Sequence, residues 1–234
     1  MPFNTWTPQA VSSEAFSWSD TVWRVVETQH IASTMKLVDS FDEQNTLEGL
    51  LEQSKPQVAY SAQSLDYLLF TPFRYSPKRG GSRFRSEIDP GVFYGAQSIR
   101  TAGAELGFWR WRFLKDSVGL ESLGPVAQTV FSCVPTSLVI DLRREPFSKD
   151  REIWESSSQY IGTQDMGRVA RKAGVQSILY QSVRDQEGSW CIAVLDPAVF
   201  NGVQTQIDPH AWFLSVNQDK VLLKSSQYFY EYQY

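Results

Sequence analysis

The sequence predicts an α+β domain built on mixed or antiparallel sheets, with a helical elaboration at its N-terminal end. Three observations carry that reading. Short extended runs outnumber helical ones and recur at irregular spacing ("TVWRVVE", "GVFYGA", "CVPTSLVIDLR", "SILYQSVR", "CIAVLDP", "AWFLSV", "KVLLKSSQYFYEYQY"), which suits neither a helix bundle nor a regular strand–helix alternation. Helical spacing is confined to a few stretches. The 234 residues are 42% hydrophobic and 14% aromatic, enough for one sizeable core with an addition. The chain divides into residues 1–65, the elaboration, and 66–234, the main domain.

Taken in order, the first stretch holds Trp6, Trp18 and Trp23, and "TVWRVVE" alternates well enough for a strand. From Ser33 the pattern changes. Met35, Leu37, Val38, Phe41, Leu47, Leu50 and Leu51 follow helical spacing, Ser33 or Thr34 can cap the start, and Pro56 marks the end. "SLDYLLFTPFRYSP" reads as extended chain broken by Pro72 and Pro77. "RGGSRFR" is a loop, because paired glycines admit backbone conformations that other residues avoid. "GVFYGA" is a short buried strand. "SIRTAGAELGFWRWRFLKDS" is a helix whose buried stripe is Ile99, Ala102, Leu106, Trp109 and Phe113, with Glu105 at its edge, placed to lean over a cleft. Further on, "TQDMGRVARKAG" is a short helix stopped by Gly174, and Asn217–Lys220 make a turn between late strands.

Several chemistries are disfavoured. A net charge of −4 and a pI near 5.3 argue against counterion-driven nucleic-acid binding. A local basic patch (Arg74, Lys78, Arg79, Arg83, Arg85) is either a solvated loop or part of a ligand site. Cys133 and Cys191 sit in apolar runs and read as buried free thiols. His30 and His210 are the only histidines, and neither has a soft ligand at close spacing, so no metal site and no Cys–His nucleophile is expected. No secretion signal and no apolar run of about 18 residues is visible, so a soluble cytoplasmic protein is expected.

What remains is a set of three residues. Arg83, Tyr94 and Glu105 fall at equal steps of 11 (94 − 83 and 105 − 94). Arg83 follows two glycines, so its backbone can approach a ligand while its fork grips a pyrophosphate or carboxylate. Tyr94 is either core, or a ring face for a flat base, or a hydroxyl for a ribose. Glu105, between Ala104 and Leu106, is either salt-bridged to Arg100 or Arg112, or simply exposed, or a carboxylate that stabilises positive charge developing on a sugar. Together they point to a ligand with phosphates, a sugar and an aromatic ring, such as NAD. With no GxGxxG after a strand, a protein holding that dinucleotide against a glutamate is expected to break it rather than reduce it.

At these residues the chain resembles the RES-domain family. The segments "TPFRYSP", "GGSRF", "GVFYGA", "TAGAE" and "GVQSILYQSVRD" occur in the family's order, over roughly residues 70 to 200. The resemblance implies an ADP-ribosyltransferase-like fold and an NAD-consuming toxin, with NAD as substrate and no metal. It implies an Xre-type helix-turn-helix antitoxin as partner. It carries over to Arg83 as the loop arginine, Tyr94 as the strand tyrosine, Glu105 as the glutamate and Ser182 as the serine. A further family arginine is matched best by Arg74 in "PFRY", with Arg24 in "VWRVV" as the competitor. On this reading the arginines grip the pyrophosphate or ribose and Tyr94 orients the nicotinamide or its ribose. Glu105 hydrogen-bonds the ribose hydroxyl and stabilises the oxocarbenium-like transition state, and Ser182 either fixes the nicotinamide side or assists the glutamate. ADP-ribose then passes to phosphate, water or a host protein; a non-catalytic interaction module is the reading from another class. The aromatic-rich ends ("TWTP", "QYFYEYQY") suit a homo-oligomer or antitoxin interface.

Overall fold

A computed structural model of the chain describes residues 5–28, 37–57, 64–75 and 81–234. Helix α1 (Pro8–Ser13) starts at Thr7, whose hydroxyl accepts the Ala10 N–H, with Pro8 in the first turn. Two strands follow, β1 (Phe16–Ser19) and β2 (Val22–Glu27). Helix α2 (Phe41–Ser54) is capped by Ser40 through the Glu43 N–H. Then come α3 (Tyr67–Arg74), β3 (Phe93–Ala96), α4 (Ile99–Asp116), β4 (Ser122–Cys133) and β5 (Thr136–Asp141). Helices α5 (Arg151–Trp154) and α6 (Ile161–Lys172) precede β6 (Ser177–Gln181) and β7 (Trp190–Val194). The chain finishes with β8 (Gln206–Ile207), β9 (Trp212–Asn217), β10 (Val221–Lys224) and β11 (Phe229–Tyr232).

The described strands form one mixed sheet in the order β1-β5-β6-β7-β3-β2-β4-β9-β10-β11, with β8 beside β4. Only β5 and β6 run parallel; the other pairs are antiparallel. This is the expected α+β class. Within residues 1–65, α1 and α2 are helical, while β1 and β2 belong to the sheet that carries the rest of the chain, so the sheet crosses the expected boundary at 65. Strand β2 lies near its middle, paired from Val22↔Cys133 to Glu27↔Gln128. Two apolar clusters form the core. One holds Ala104, Leu114, Val130, Ile140, Trp212 and Leu223, and the other holds Val22, Leu69, Phe93, Phe131 and Phe200.

The structure corrects four local expectations. Residues 67–74 are helix, not extended chain. The Asp66 carboxylate caps the Leu68 N–H at 2.8 Å and Leu69 is fully buried, which together outweigh Pro72, and the helix stops two residues after it. The expected buried stripe of α4 is wrong at its far end, because Trp109 and Phe113 are 49% and 55% exposed. The helix instead seats on the sheet through Ala102, Gly103, Ala104 and Gly107. Small residues let it come close: a Cβ at Gly103 would lie 2.5 Å from the Tyr232 hydroxyl and 2.6 Å from Leu223 Cδ2. The longest strand, β4, went unrecognised in sequence because "SLGPVAQT" carries Gly124 and Pro125, where the pairing with β9 shifts register. The apolar positions assigned to the α2 helix stand outward, with Leu37, Phe41, Leu50 and Leu51 exposed. Ser33 and Thr34, the expected caps, and Met35 lie outside the described residues. So do His30, Pro77, Lys78 and Arg79.

Candidate active site

A tight turn places the loop arginine. Gly81 has φ +70°, and a Cβ there would stand 2.2 Å from the Arg85 carbonyl oxygen, so glycine is required. The Ser82 N–H donates to the Arg85 carbonyl at 2.7 Å, and the return bond from the Arg85 N–H is 3.3 Å. Arg83 and Phe84 therefore sit at the tip. Phe84 is buried and meets the edge of Tyr180, with ring centroids 4.9 Å apart. Gly167 of α6 lets the loop backbone in: a Cβ there would lie 2.4 Å from the Phe84 carbonyl oxygen.

With its loop pinned, Arg83 is buried. One guanidinium nitrogen donates to the carbonyls of Trp154 (2.8 Å) and Ser156 (3.0 Å), and the group lies 4.9 Å from the Tyr160 ring centre. The Tyr94 hydroxyl accepts the Phe84 N–H at 3.0 Å and shares a 2.8 Å hydrogen bond with Ser82. Burial pushes its pKa above the ordinary phenol value. The hydroxyl of Tyr94 is thus committed to holding the arginine loop, while the residue also lines a cavity.

Glu105 arrives from α4, whose first turn is capped by Ser98 through the Thr101 N–H. The Ser182 hydroxyl donates to Glu105 Oε1 at 2.7 Å. That hydroxyl accepts the backbone N–H groups of Arg184 (3.3 Å) and Asp185 (3.1 Å), which leaves its own hydrogen for the carboxylate. Asp185 is buried and ties the same turn to α4 by accepting from Thr101 Oγ1 (2.8 Å) and Arg100 Nε (3.2 Å). Glu105 Oε2 makes no hydrogen bond to a described residue. The salt-bridge reading of Glu105 fails: Arg100 pairs with Asp185 and Glu187, and Arg112 with Asp116. Cys191 lies beside the carboxylate, its sulfur 3.8 Å from Oε1. Burial, and then the Glu105 charge, pushes its thiol well above the ordinary cysteine value.

These groups line one cavity of about 220 Å³. Around it stand Arg24, Arg83, Tyr94, Glu105, Trp109, Tyr160, Tyr180 and Cys191. Of the expected set, Arg83, Tyr94 and Glu105 are brought together, with Ser182 behind Glu105. Arg74 is not. It lies at the end of α3, paired with Glu52 of α2 at 2.7 Å and donating to the Pro56 carbonyl at 2.6 Å. Arg24, the competitor, lines the cavity from β2. It donates to the Tyr94 carbonyl at 3.0 Å and lies 4.5 Å over the Phe93 ring. Among the described residues it has no carboxylate partner. Burial brings its pKa down to about 10. Two guanidiniums facing one carboxylate make the cavity net cationic, which suits an anionic ligand. The described arginines of the basic patch are therefore split: Arg74 in a helix ion pair, Arg83 at the cavity, and Arg85 buried and bonded to the Tyr75 carbonyl.

Sequence reasoning missed Tyr160, Tyr180 and Asp185. Tyr180 was within reach, since it stands two residues before Ser182 at the end of a strand, where side chains two apart share a face. Among the described residues no cluster of three possible metal ligands occurs, and no helix is long and apolar enough to cross a membrane.

The family model of the RES domain matches residues 58–215. Among solved structures, the fold resembles a chain of the crystal structure of the M. tuberculosis MbcT–MbcA toxin–antitoxin complex. The TM-score is 0.51 at 13% sequence identity, over 92% of this chain and 93% of that one, a likeness of fold. A search of the curated proteins finds no match.

Proposed function

The chain belongs to the RES-domain family, and from that premise we propose that it cleaves the nicotinamide–ribose bond of NAD and passes ADP-ribose to phosphate or water. One observation carries the proposal: in a cationic cavity, Glu105 has one oxygen fixed by Ser182 and the other without a hydrogen-bond partner among the described residues. The fixed oxygen sets the carboxylate's orientation. The open one accepts a ribose hydroxyl and faces the charge that grows at the anomeric carbon. As the glycosidic bond breaks, its electron pair goes to the nicotinamide ring nitrogen, which leaves neutral. The sugar is left as an oxocarbenium-like cation beside the carboxylate. Phosphate, or water with loss of one proton to solvent, then bonds to that carbon.

Arg24 and Arg83 are the two cations placed to hold the pyrophosphate. We assign the further family arginine to Arg24 rather than Arg74, because Arg24 lines the cavity and Arg74 is spent on Glu52. Tyr94 acts through the loop it holds and through its ring. On this reading the chain is the toxin of a pair, with an Xre-type helix-turn-helix antitoxin as its partner.

The test is nicotinamide release from NAD by the purified chain, with and without phosphate, beside Glu105→Gln. The variant keeps the shape and one acceptor but loses the charge, so its rate falls about 10²-fold or more while the fold persists. A phosphate requirement names phosphorolysis, and phosphate independence names hydrolysis. A folded Glu105→Gln protein with wild-type turnover would falsify the role. Release only when a protein acceptor is added would replace it with protein ADP-ribosylation.

A further inference from the structure

The cavity is smaller than the ligand assigned to it. Pockets that enclose a drug-sized molecule run from roughly 300 to 1,000 Å³, and a dinucleotide is larger than most such molecules. A cavity of about 220 Å³ encloses only the reacting end, so the second nucleoside must lie across the mouth. One lining side chain differs from the rest there. Trp109 is 49% exposed while lining the same cavity. The other aromatic side chains around it, Trp23, Tyr94, Tyr160 and Tyr180, are half-buried or buried. Trp109 stands four residues after Glu105 on α4 (109 − 105), which puts both on one face of the helix, a turn apart.

Core packing does not explain an indole in that position. The seat of α4 is made by Ala102, Gly103, Ala104 and Gly107, and Trp109 contributes an edge contact to Phe108, with ring centroids 5.4 Å apart. Half exposed and yet part of the lining, it stands where the cavity meets solvent. We infer that Trp109 is a stacking platform for the second, non-reacting base of the dinucleotide, and so a specificity-determining residue rather than a catalytic one. The inference rests on the proposed reaction for its ligand class, but its geometry is separate from Glu105. A flat heterocycle laid on an indole loses water from both faces and gains a base–aromatic stack, a contact tolerant of which base is used. The site then separates a dinucleotide from a mononucleotide by an interaction outside the reacting pocket.

The experiment measures binding by calorimetry and turnover in the same preparations. ADP-ribose carries the second base; nicotinamide mononucleotide lacks it. Trp109→Ala is expected to weaken ADP-ribose about 10-fold or more and to leave nicotinamide mononucleotide affinity unchanged. Trp109→Phe recovers most of the loss. With NAD, the rise falls on KM and kcat stays near wild type. Phe113→Ala is the control, since Phe113 is one turn further on, 55% exposed and outside the cavity lining; it changes neither affinity. Three outcomes overturn the inference: no ADP-ribose binding by the wild-type chain, ADP-ribose binding indifferent to Trp109→Ala, or equal losses for both ligands. Trp109-dependent ADP-ribose binding without nicotinamide release sinks the proposed reaction and leaves the subsite standing. Release with Trp109-independent binding does the reverse.

Discussion

Arg24 is the residue on which sequence and geometry part most clearly. Both arginine candidates follow an aromatic or apolar residue, and nothing in "PFRY" or "VWRVV" announces which one reaches the ligand. The deciding fact is a partner: Glu52 neutralises Arg74, whereas Arg24 faces the cavity over Phe93. Desolvation without a carboxylate among the described residues brings Arg24 down to about 10, and on the proposed reading a bound pyrophosphate supplies the missing counter-charge. The sign follows. The anion favours the charged guanidinium and raises its pKa in the complex, so the Arg24 contribution to affinity is complete below about pH 10 and is lost as pH rises through it. Calorimetric titration of ADP-ribose between pH 8 and 11 should show that fall in the wild type and in Arg74→Ala. Arg24→Ala should bind weakly and without the step. A step that survives in Arg24→Ala assigns it to another group.

At the scale of elements, the site depends on short pieces held by few bonds. The loop of residues 81–85 is such a piece, and its glycine was legible: "RGGSRFR" announces a turn, and Gly81 occupies the left-handed region. Replacing Gly81 by alanine adds both backbone strain and an overlap with the Arg85 carbonyl. A loss of about 1–3 kcal/mol is expected in denaturant unfolding, together with weakened ADP-ribose binding, because Arg83 moves with the loop. Unchanged stability and binding would show that the turn tolerates another geometry. Strand β3, helix α6 with its Gly174 stop and the Asn217–Lys220 turn were equally legible, because each advertises itself by local chemistry. Helix α3 was not, since Pro72 reads locally as a breaker and only the burial of Leu69 and the Asp66 cap reverse that. The seat of α4 was misread for a related reason. Periodicity finds large apolar residues, but here the contact is made by glycines, and the aromatics are left outside.

At the scale of the molecule, the cavity is assembled from distant segments by the sheet. Arg24 comes from β2, Tyr94 from β3 and Cys191 from β7, with Ser182 behind the lining just beyond β6, and these strands are neighbours in it although far apart in sequence. Glu105 comes from outside the sheet, and α4 is held against it by β10 and β11. The Tyr232 hydroxyl donates to the Arg100 carbonyl at 2.8 Å and the Tyr234 hydroxyl to the Ala104 carbonyl at 2.6 Å, one turn apart, the second at the residue before Glu105. Gly103 and Gly107 make room for those hydroxyls. No spacing in the sequence reveals this, because the partners are 130 and 132 residues apart. It yields a test of the whole arrangement. Gly103→Val drives a branched side chain against Tyr232 and Leu223 in a closed seat, which should cost about 1–3 kcal/mol, or roughly 2–12 °C in Tm for a chain of this size. Removing the obstacle should remove part of the cost. In a Tyr232→Ala background, Gly103→Val should be less damaging than in the wild type, giving a coupling of about 0.5 kcal/mol or more in a double-mutant cycle. Strict additivity would mean that α4 adjusts to the valine by some route other than the β11 contact. The position of Glu105 would then not depend on this strand.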